Sequence, residues 1–230
     1  RQRQMCIRDS IKETDENREL YYEINRDLSV NIAKNAKEAG VKQYVLLSSM
    51  SVYGLVTGHI TKDTVPHPIN AYGDSKLQAD NIICNMENDL FKVVIVRPPM
   101  VYGKGCKGNY QTLRKFAIKS PIFPDYKNER SMIYIGNLCE FMKCVIDRED
   151  SGLFFPQNRE YVRTSAMVRT VARQHNKAIV MPRVFNIAIK VTPLTLVKKV
   201  FGSLTYEKTE LIGKYNFKES MELTEGYERN

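Results

Sequence analysis

Apolar residues recur at every fourth position over residues 18–39, and Gly40 follows them. The positions are Leu20, Ile24, Leu28, Ile32 and Ala36. This spacing predicts a helix with one apolar stripe that ends at the glycine. Residues 43–49 are then short, β-branched and apolar, which is typical of a strand buried on both faces of a parallel sheet.

The same alternation follows once more along the chain. A Pro- and His-containing loop is predicted over residues 57–70, a helix over 71–86, and a buried strand over 92–98 that two prolines end. Helices and strands joined by short connections indicate right-handed βαβ units. The pattern therefore predicts an α/β fold with a doubly wound parallel sheet.

Beyond residue 98 the pattern becomes less regular. Helices are predicted over residues 110–119, 139–146 and 165–175, with a short strand at 131–135. The last fifteen residues are polar enough to form a surface helix or a frayed end. This part is expected to form a smaller C-terminal lobe.

Composition narrows the class of protein without identifying a partner. The 230 residues are 43% hydrophobic, which is enough for a sizeable core. Apolar runs are too short for a membrane-spanning helix, so stable membrane insertion is not expected. The formal charge of +9, from 35 Lys and Arg against 26 Asp and Glu, favours an anionic partner. This positive charge is compatible with the phosphates of a small ligand, with a nucleic acid or with an anionic membrane surface.

Two further features concern compartment and chain start. The five cysteines form no CxxC pair and have no metal-site spacing to the histidines, so no metal is expected and a reducing cytoplasm is the simple inference. Residues 1–10 do not fit the pattern that follows, and we interpret them as an artefact of sequence assembly.

Tyr72 and Lys76 are four residues apart at the start of the second predicted helix. Both side chains should therefore project from one face, about one turn apart. A nearby ammonium favours the phenolate and lowers the pKa of a phenol from about 10 toward the neutral range. The pair can thus act as a general acid or base.

Hydroxyl groups follow the first predicted strand, about twenty residues before Tyr72. The segment SSMSVYG begins at Ser48, and ligands of open α/β folds bind at the carboxyl ends of parallel strands. Three segments in order, SSMSVYG, YGDSK and RPPMVYGKG, resemble the extended short-chain dehydrogenase/reductase family. The resemblance is to its NAD-dependent epimerase/dehydratase branch, and it covers residues 20–137 well and the remainder loosely.

The resemblance implies roles for particular residues. The catalytic residues would be Ser49, Tyr72 and Lys76. The cofactor, NAD or alternatively NADP, would contact Asn25, Tyr72, Lys76, Pro98 and Pro99. A nucleotide-sugar substrate would contact Ser49, Ser51, Met100 and Arg130, the last through its diphosphate. The fold would be a partial Rossmann domain over residues 11–100, interleaved with a substrate lobe over 101–230. The Gly-rich turn and the N-terminal strands of the family are missing from this sequence.

Departures from the family also discriminate among its reactions. Sugar 4,6-dehydratases carry Thr-Asp-Glu where this chain has Ser49, Met50 and Ser51, so water elimination is not expected. C4 epimerisation through a 4-keto intermediate is the first hypothesis, and reduction of a 4-keto sugar is the alternative. The segment KKVFGSL is similar to that of bacterial enzymes that make nucleotide-linked amino sugars for surface polysaccharide.

Alternatives from other classes and the expected assembly complete this reading. A non-catalytic anion or nucleic-acid binder rests on charge alone, and the basic residues are not interleaved with aromatic ones as nucleic-acid binding favours. A membrane-surface contact over residues 191–204 is less favoured, because a dimer or lobe contact explains the same apolar residues. Relatives in the family pair the helices that carry Asn25 and Tyr72, so a homodimer is expected.

Overall fold

The computed structural model describes residues 13–208 and 213–226. Within these ranges the helices are α1 (Asp15–Tyr22), α2 (Ser29–Glu38), α3 (Ala71–Cys84), α4 (Asn109–Lys119), α5 (Ile135–Asp147), α6 (Thr164–Gln174), α7 (Asn186–Val191), α8 (Thr195–Phe201) and α9 (Phe217–Glu225). The strands are β1 (Gln43–Leu47), β2 (Gly58–Ile60), β3 (Lys92–Val96), β4 (Met100–Tyr102), β5 (Met132–Tyr134), β6 (Gly152–Phe154) and β7 (Leu204–Tyr206). Residues 1–10, interpreted as an artefact, lie outside the described residues.

The chain divides into two compact units. The first contains the described residues up to Gly54, with Thr64–Pro98 and Lys143–Phe155. The second contains Leu55–Asp63, Pro99–Met142 and the described residues from Pro156 onward. The chain passes between the units several times, so each unit is assembled from segments that are distant in sequence.

A parallel sheet in the order β1-β3-β6 forms the centre of the first unit. The α/β class predicted from the sequence is confirmed. Side chains of α2 and α3 pack against Leu46 of β1 and against Val93 and Ile95 of β3. Each such aliphatic side chain stabilises the fold by about 1.5–3 kcal/mol through its removal from water.

The first predicted helix exists, but a different face of it is buried. A π-helical turn, Glu23–Leu28, separates α1 from α2. Leu20, Leu28 and Ile32 remain 38–43% exposed, whereas Tyr21 and Ala33 are buried. A π turn holds one extra residue, so it rotates the side chains that follow relative to a regular helix. Three residues of the predicted apolar stripe therefore face away from the core, whereas Ile24 and Ala36 are half-buried and pack against buried clusters.

The second unit contains two short parallel strand pairs, β2 with β7 and β4 with β5. Its core packs Tyr102 and Met132 against side chains of α4, α6 and α9. Met221 of α9 is fully buried. The last fifteen residues were predicted as a surface helix or a frayed end, and a helix is what α9 forms. Ser220, Met221, Thr224 and Glu225 are buried, so one largely polar face of this helix docks on the core.

No helix in the described ranges is both long enough and apolar enough to cross a bilayer. The four cysteines in these ranges carry free thiols.

Ile83 tests the packing of α3 on the sheet, because its side chain is 0% exposed. Ile83→Ala is expected to lower the free energy of unfolding by about 2–5 kcal/mol through lost burial and a residual cavity. Leu90→Ala is the control, since Leu90 is 83% exposed in the same unit. Chemical denaturation of both variants measures the difference, and equal stabilities would contradict the packing.

Candidate functional site

The segment after β1 forms a tight turn with hydroxyl groups. Ser49 is the N-cap of a 3-10 helix, Met50–Tyr53, and its Oγ accepts a hydrogen bond from the Ser51 N–H at 3.1 Å. The two hydroxyl oxygens, of Ser49 and Ser51, are 3.1 Å apart. The Met50 N–H donates to the Pro98 carbonyl at 3.0 Å. The turn is therefore tied to the residues that follow β3.

Helix α3 begins directly against this turn. Its N-cap is Asn70, whose side chain accepts from the Gly73 N–H at 2.8 Å. A Cβ on Gly73 would lie 2.5 Å from the Ser51 carbonyl oxygen, so only glycine permits this approach of the two backbones. Tyr72 immediately precedes this contact, and so the phenol-bearing residue and the hydroxyl-bearing turn are neighbours.

Lys76 extends from α3 to the end of β1. Its Nζ donates to the carbonyl of Leu47, the last residue of that strand, at 3.2 Å. The ring of Tyr72, one helical turn earlier, packs edge-on against Tyr21 with centroids 6.3 Å apart. The ammonium is thus held at the carboxyl end of the parallel sheet, where ligands of such folds bind.

Asn25 lies in the π turn and is buried. Its Nδ2 donates to the Ser75 hydroxyl at 3.1 Å, and that hydroxyl donates to the Tyr72 carbonyl at 3.1 Å. The amide therefore reaches the backbone of Tyr72 through one side chain. π turns inside α-helices occur frequently at functional sites, which is consistent with this placement.

A second phenol near α3 is unsuited to act as a base. The Tyr22 hydroxyl donates to Asp74 Oδ2 at 2.7 Å. This hydrogen bond to a carboxylate raises the pKa of Tyr22 above its ordinary value of 10.0, and burial and the charge of Asp74 act in the same direction. The phenolate form is therefore disfavoured at Tyr22.

A buried polar network supports this arrangement, and sequence reasoning missed it. Asp80 Oδ2 accepts hydrogen bonds from the Ser48 hydroxyl at 2.8 Å and from Arg97 Nε at 3.0 Å. Arg97 Nη1 donates to the Tyr53 hydroxyl at 2.8 Å. The network joins α3 to residues that follow β1 and β3. The residue that could have indicated this network in the sequence is Asp80, a carboxylate one turn after Lys76 on a helix that packs against a sheet.

Desolvation dominates the electrostatics of this network. Burial raises the pKa of the Asp80 carboxyl above its ordinary value, and the charge of Arg97 opposes that effect only in part. Asp80 Oδ1 has no hydrogen-bond partner within the described residues. The guanidinium is thus the principal partner that keeps this carboxylate ionised inside the protein.

Arg130 and Met100 belong to the second unit. The Arg130 backbone N–H donates to the Val162 carbonyl at 3.0 Å, and Nη1 donates to the Gly202 carbonyl at 2.9 Å. Burial lowers the pKa of the Arg130 guanidinium, and no carboxylate of residues 13–208 or 213–226 forms an ion pair with it. A desolvated guanidinium of this kind suits an anionic ligand.

The second unit also contains a cavity of about 430 Å³ beside the buried Glu225. Arg114 Nε lies 2.8 Å from one Glu225 oxygen, and His175 Nε2 lies 2.6 Å from the same oxygen. Tyr110 donates to the other oxygen, and its pKa is raised first by burial and then by this hydrogen bond. This cluster ties α4 and α6 to α9.

The predicted site residues therefore divide between the two units. The first unit places Ser49, Ser51, Lys76 and Pro98 at the carboxyl ends of β1 and β3. Tyr72 lies one turn before Lys76 on α3, and Asn25 reaches its backbone through Ser75. Pro99, Met100 and Arg130 belong to the second unit, where Met100 opens β4 and packs on the core. Their functional roles stay predictions.

The chain is similar to known proteins over much of its length. The family model described as NAD dependent epimerase/dehydratase family matches residues 7–162. The chain is similar to UDP-glucose 4-epimerase of Vibrio cholerae, with 34% identity over 162 residues, which cover 66% of this chain and 49% of that protein. It is also similar to an N-acetyl-alpha-D-glucosaminyl-diphospho-ditrans,octacis-undecaprenol 4-epimerase of Escherichia coli O157:H7, with 33% identity that covers 58% of this chain and 42% of that protein.

Solved structures show the same fold. UDP-glucuronic acid 4-epimerase from Bacillus cereus, in complex with NAD, superimposes with a TM-score of 0.72 at 15% identity and covers 94% of this chain and 71% of that one. dTDP-4-dehydrorhamnose reductase from Bacillus anthracis, in complex with NADP, has a TM-score of 0.66 at 17% identity, with coverage of 93% and 75%. The chain spans about half the length of the curated relatives that it matches.

The ion pair of Asp80 with Arg97 generates a stability prediction. Arg97→Leu is expected to cost about 3–5 kcal/mol near neutral pH, because it leaves a buried carboxylate without compensation. The pKa of Asp80, already raised in the folded state, should rise further. The penalty should therefore be largest above that folded pKa and vanish below the unfolded pKa of about 3.9.

The double variant, Arg97→Leu with Asp80→Asn, is the control because it has no buried charge. Urea denaturation from about pH 7 to about pH 4 should show the single variant less stable than the double at neutral pH, with the gap closing as pH falls. A gap independent of pH would contradict the assignment of the cost to ionised Asp80.

Proposed function

The chain belongs to the NAD dependent epimerase/dehydratase family, and on that premise we propose that it serves C4 epimerisation of a diphosphate-linked sugar. One observation carries the proposal. Tyr72 and Lys76 occupy the first two turns of α3, and the turn bearing Ser49 and Ser51 packs on that helix at the carboxyl end of β1. We interpret this grouping as a proton relay to a substrate hydroxyl.

The residues present fit a nicotinamide cofactor. The Lys76 ammonium and the Pro98 backbone lie at the carboxyl ends of β1 and β3, where dinucleotides bind in open α/β sheets, and the buried amide of Asn25 contacts the same helix, α3. We propose that they hold NAD. When bound, NAD supplies reversible hydride transfer at C4 of the sugar.

Each site residue then has one task in the proposed reaction. The Lys76 ammonium favours the phenolate of Tyr72 by its charge, and Tyr72 accepts the proton of the sugar O4 hydroxyl. The Ser49 hydroxyl donates a hydrogen bond to the same oxygen and holds it in place. After the 4-keto sugar rotates in the site, Tyr72 would return the proton to O4. Because the hydride removed from C4 would also be returned to it, the reaction has no net redox change.

Arg130 is proposed to bind the substrate's diphosphate. Burial lowers the pKa of its guanidinium, which donates to the Gly202 carbonyl, and its planar fork of N–H donors matches phosphate oxygens. The names of the two curated relatives specify a UDP-sugar and a sugar on undecaprenyl diphosphate. A diphosphate-linked sugar is common to both and defines the proposed substrate class.

Reduction of a 4-keto sugar is the second candidate, and the similarity of fold to a reductase supports only the shared architecture. The two reactions differ in cofactor balance. An epimerase interconverts two sugars with the absorbance of reduced nicotinamide unchanged at steady state, whereas a reductase consumes the reduced cofactor in proportion to product.

We further propose a homodimer formed by the helices of the first unit. Leu20, Leu28 and Ile32 are large apolar residues that remain exposed along α1, the π turn and α2. Isologous pairing of such a stripe would remove it from water.

Tyr72→Phe tests the proposed reaction in the complete reading frame that encodes this chain. Loss of the phenol should lower kcat by about 10²–10⁴-fold while substrate binding persists, because general acid–base catalysis contributes that much. Tyr44→Phe is the matched control, since the Tyr44 hydroxyl contacts only the Ser29 carbonyl among the described groups. The turnover of UDP-sugars with NAD is measured for both variants by product chromatography. Full activity of Tyr72→Phe would rule out the mechanism.

Ile32→Asp tests the dimer. A carboxylate placed in an apolar interface is desolvated without a partner, so the equilibrium should shift to monomer. Sedimentation velocity measures the shift, with Leu90→Asp as the control on another exposed apolar residue of the unit. Unchanged association of Ile32→Asp would show that this helical stripe is not the interface.

A further inference from the structure

Positive charge is concentrated in one part of the chain. Residues 161–206 contain no Asp or Glu but eight Lys and Arg, against a formal net charge of +9 for the whole protein. The eight are Arg163, Arg169, Arg173, Lys177, Arg183, Lys190, Lys198 and Lys199. We call residues 161–206 the basic segment. It belongs entirely to the second unit.

Large apolar side chains of the basic segment are exposed around α7. Val184, Ile187, Val191 and Leu194 have 72%, 75%, 75% and 62% of their surface exposed. Ile187 and Val191 are four residues apart and share one face of α7, and Val184 and Leu194 lie just before and just after that helix. We call these four residues the apolar face. No residue of α7 is buried.

The apolar face is distinct from the part of the segment that serves the core. Val200 and Phe201, at the end of α8, pack against the core of the second unit. Within the range 191–204 considered from the sequence, these two residues therefore contribute to the core of the second unit, as a lobe contact would. The exposed apolar residues instead centre on α7, with Phe185 beside them.

We propose that the apolar face and the basic segment dock this protein on the surface of a bilayer that contains anionic phospholipids. A surface-bound helix buries apolar side chains at the boundary between headgroups and acyl chains, while Lys and Arg beside them attract anionic headgroups. Lys190, Lys198 and Lys199 are exposed; the first lies between Ile187 and Val191 in sequence, and the other two follow Leu194. The segment itself contains no Asp or Glu, and the carboxylate of Asp125, which lies outside it, pairs with Arg169 and Arg183 rather than with these lysines.

Two other occupants fit the observations less well. A second copy of the chain would bring the basic segment close to itself across a twofold axis, and like charges would repel. A nucleic acid would account for the charge, but it would cover no aliphatic face, and stacking with bases requires aromatic side chains. An anionic bilayer accounts for both the charge and the apolar surface.

Flotation with lipid vesicles tests the proposal. The protein should bind vesicles containing phosphatidylglycerol, bind vesicles of phosphatidylcholine alone far more weakly, and dissociate as salt rises. Lys190→Gln with Lys199→Gln should reduce the partition coefficient about 25-fold, at about fivefold per basic residue near the surface. Ile187→Asp should reduce it at least about tenfold, and Val184→Asp should do the same.

Matched controls are Lys34→Gln with Lys115→Gln, both exposed outside the basic segment, and Val65→Asp, 81% exposed in the first unit. These should bind vesicles as the parent protein does. Far-ultraviolet circular dichroism checks that each variant is folded.

Three results would overturn the proposal. The first is that the protein does not bind phosphatidylglycerol vesicles. The second is that Ile187→Asp and Val184→Asp bind these vesicles as well as the parent protein does. The third is that these variants lose self-association while no form of the protein binds vesicles. The third would assign the apolar face to a second copy. Salt-sensitive oligonucleotide binding in place of vesicle binding would likewise assign the charge to nucleic acid.

Discussion

The buried ion pair between Asp80 and Arg97 is the constraint on which the candidate site depends. Parallel strands end at one edge of a sheet, and the residues that follow them have no ladder to fix their direction. Here Asp80, from α3, accepts hydrogen bonds from Ser48 after β1 and Arg97 after β3. One carboxylate thus sets where the helix carrying Tyr72 and Lys76 lies along both strand ends. Because removal of either partner leaves a desolvated charge, alternative positions of α3 are penalised.

Close approach of backbones completes this constraint. Gly73 lets α3 touch the Ser51 backbone, and the Met50 N–H is bound by the Pro98 carbonyl. The hydroxyl turn therefore has little freedom relative to the helix. A proton relay depends on such rigidity, because catalytic contributions fall steeply when the reacting groups are misplaced by about 1 Å. The buried Asn25 in the π turn likewise fixes the preceding helix relative to α3, through its hydrogen bond to Ser75.

The charged groups of the second unit differ in how far they are exposed to water. Arg130 is desolvated and is bound by backbone carbonyls, and Glu225 is buried among Arg114, His175 and Tyr110. The lysines near α7 remain in water beside exposed aliphatic side chains. Buried cations recognise discrete anions, whereas exposed ones interact with extended anionic surfaces through long-range, salt-sensitive attraction. The two kinds of basic residue are therefore suited to different partners.

Sequence alone determined the features that depend on short-range periodicity. The alternation of helices and strands up to residue 98 followed from local apolar spacing, and the Tyr72–Lys76 pair followed from helical geometry, since residues four apart share a face. The structure confirmed the α/β fold and placed both residues in the first turns of α3. Tertiary structure decided what local spacing does not encode. A π turn rotated the first helix, so that Leu28 faces out and Asn25 faces in. The partner of Asp80 is seventeen residues away on another element, and the burial of Glu225 depends on three helices meeting. Burial and pairing are properties of residues brought together from distant parts of the chain, and no local window of sequence contains them.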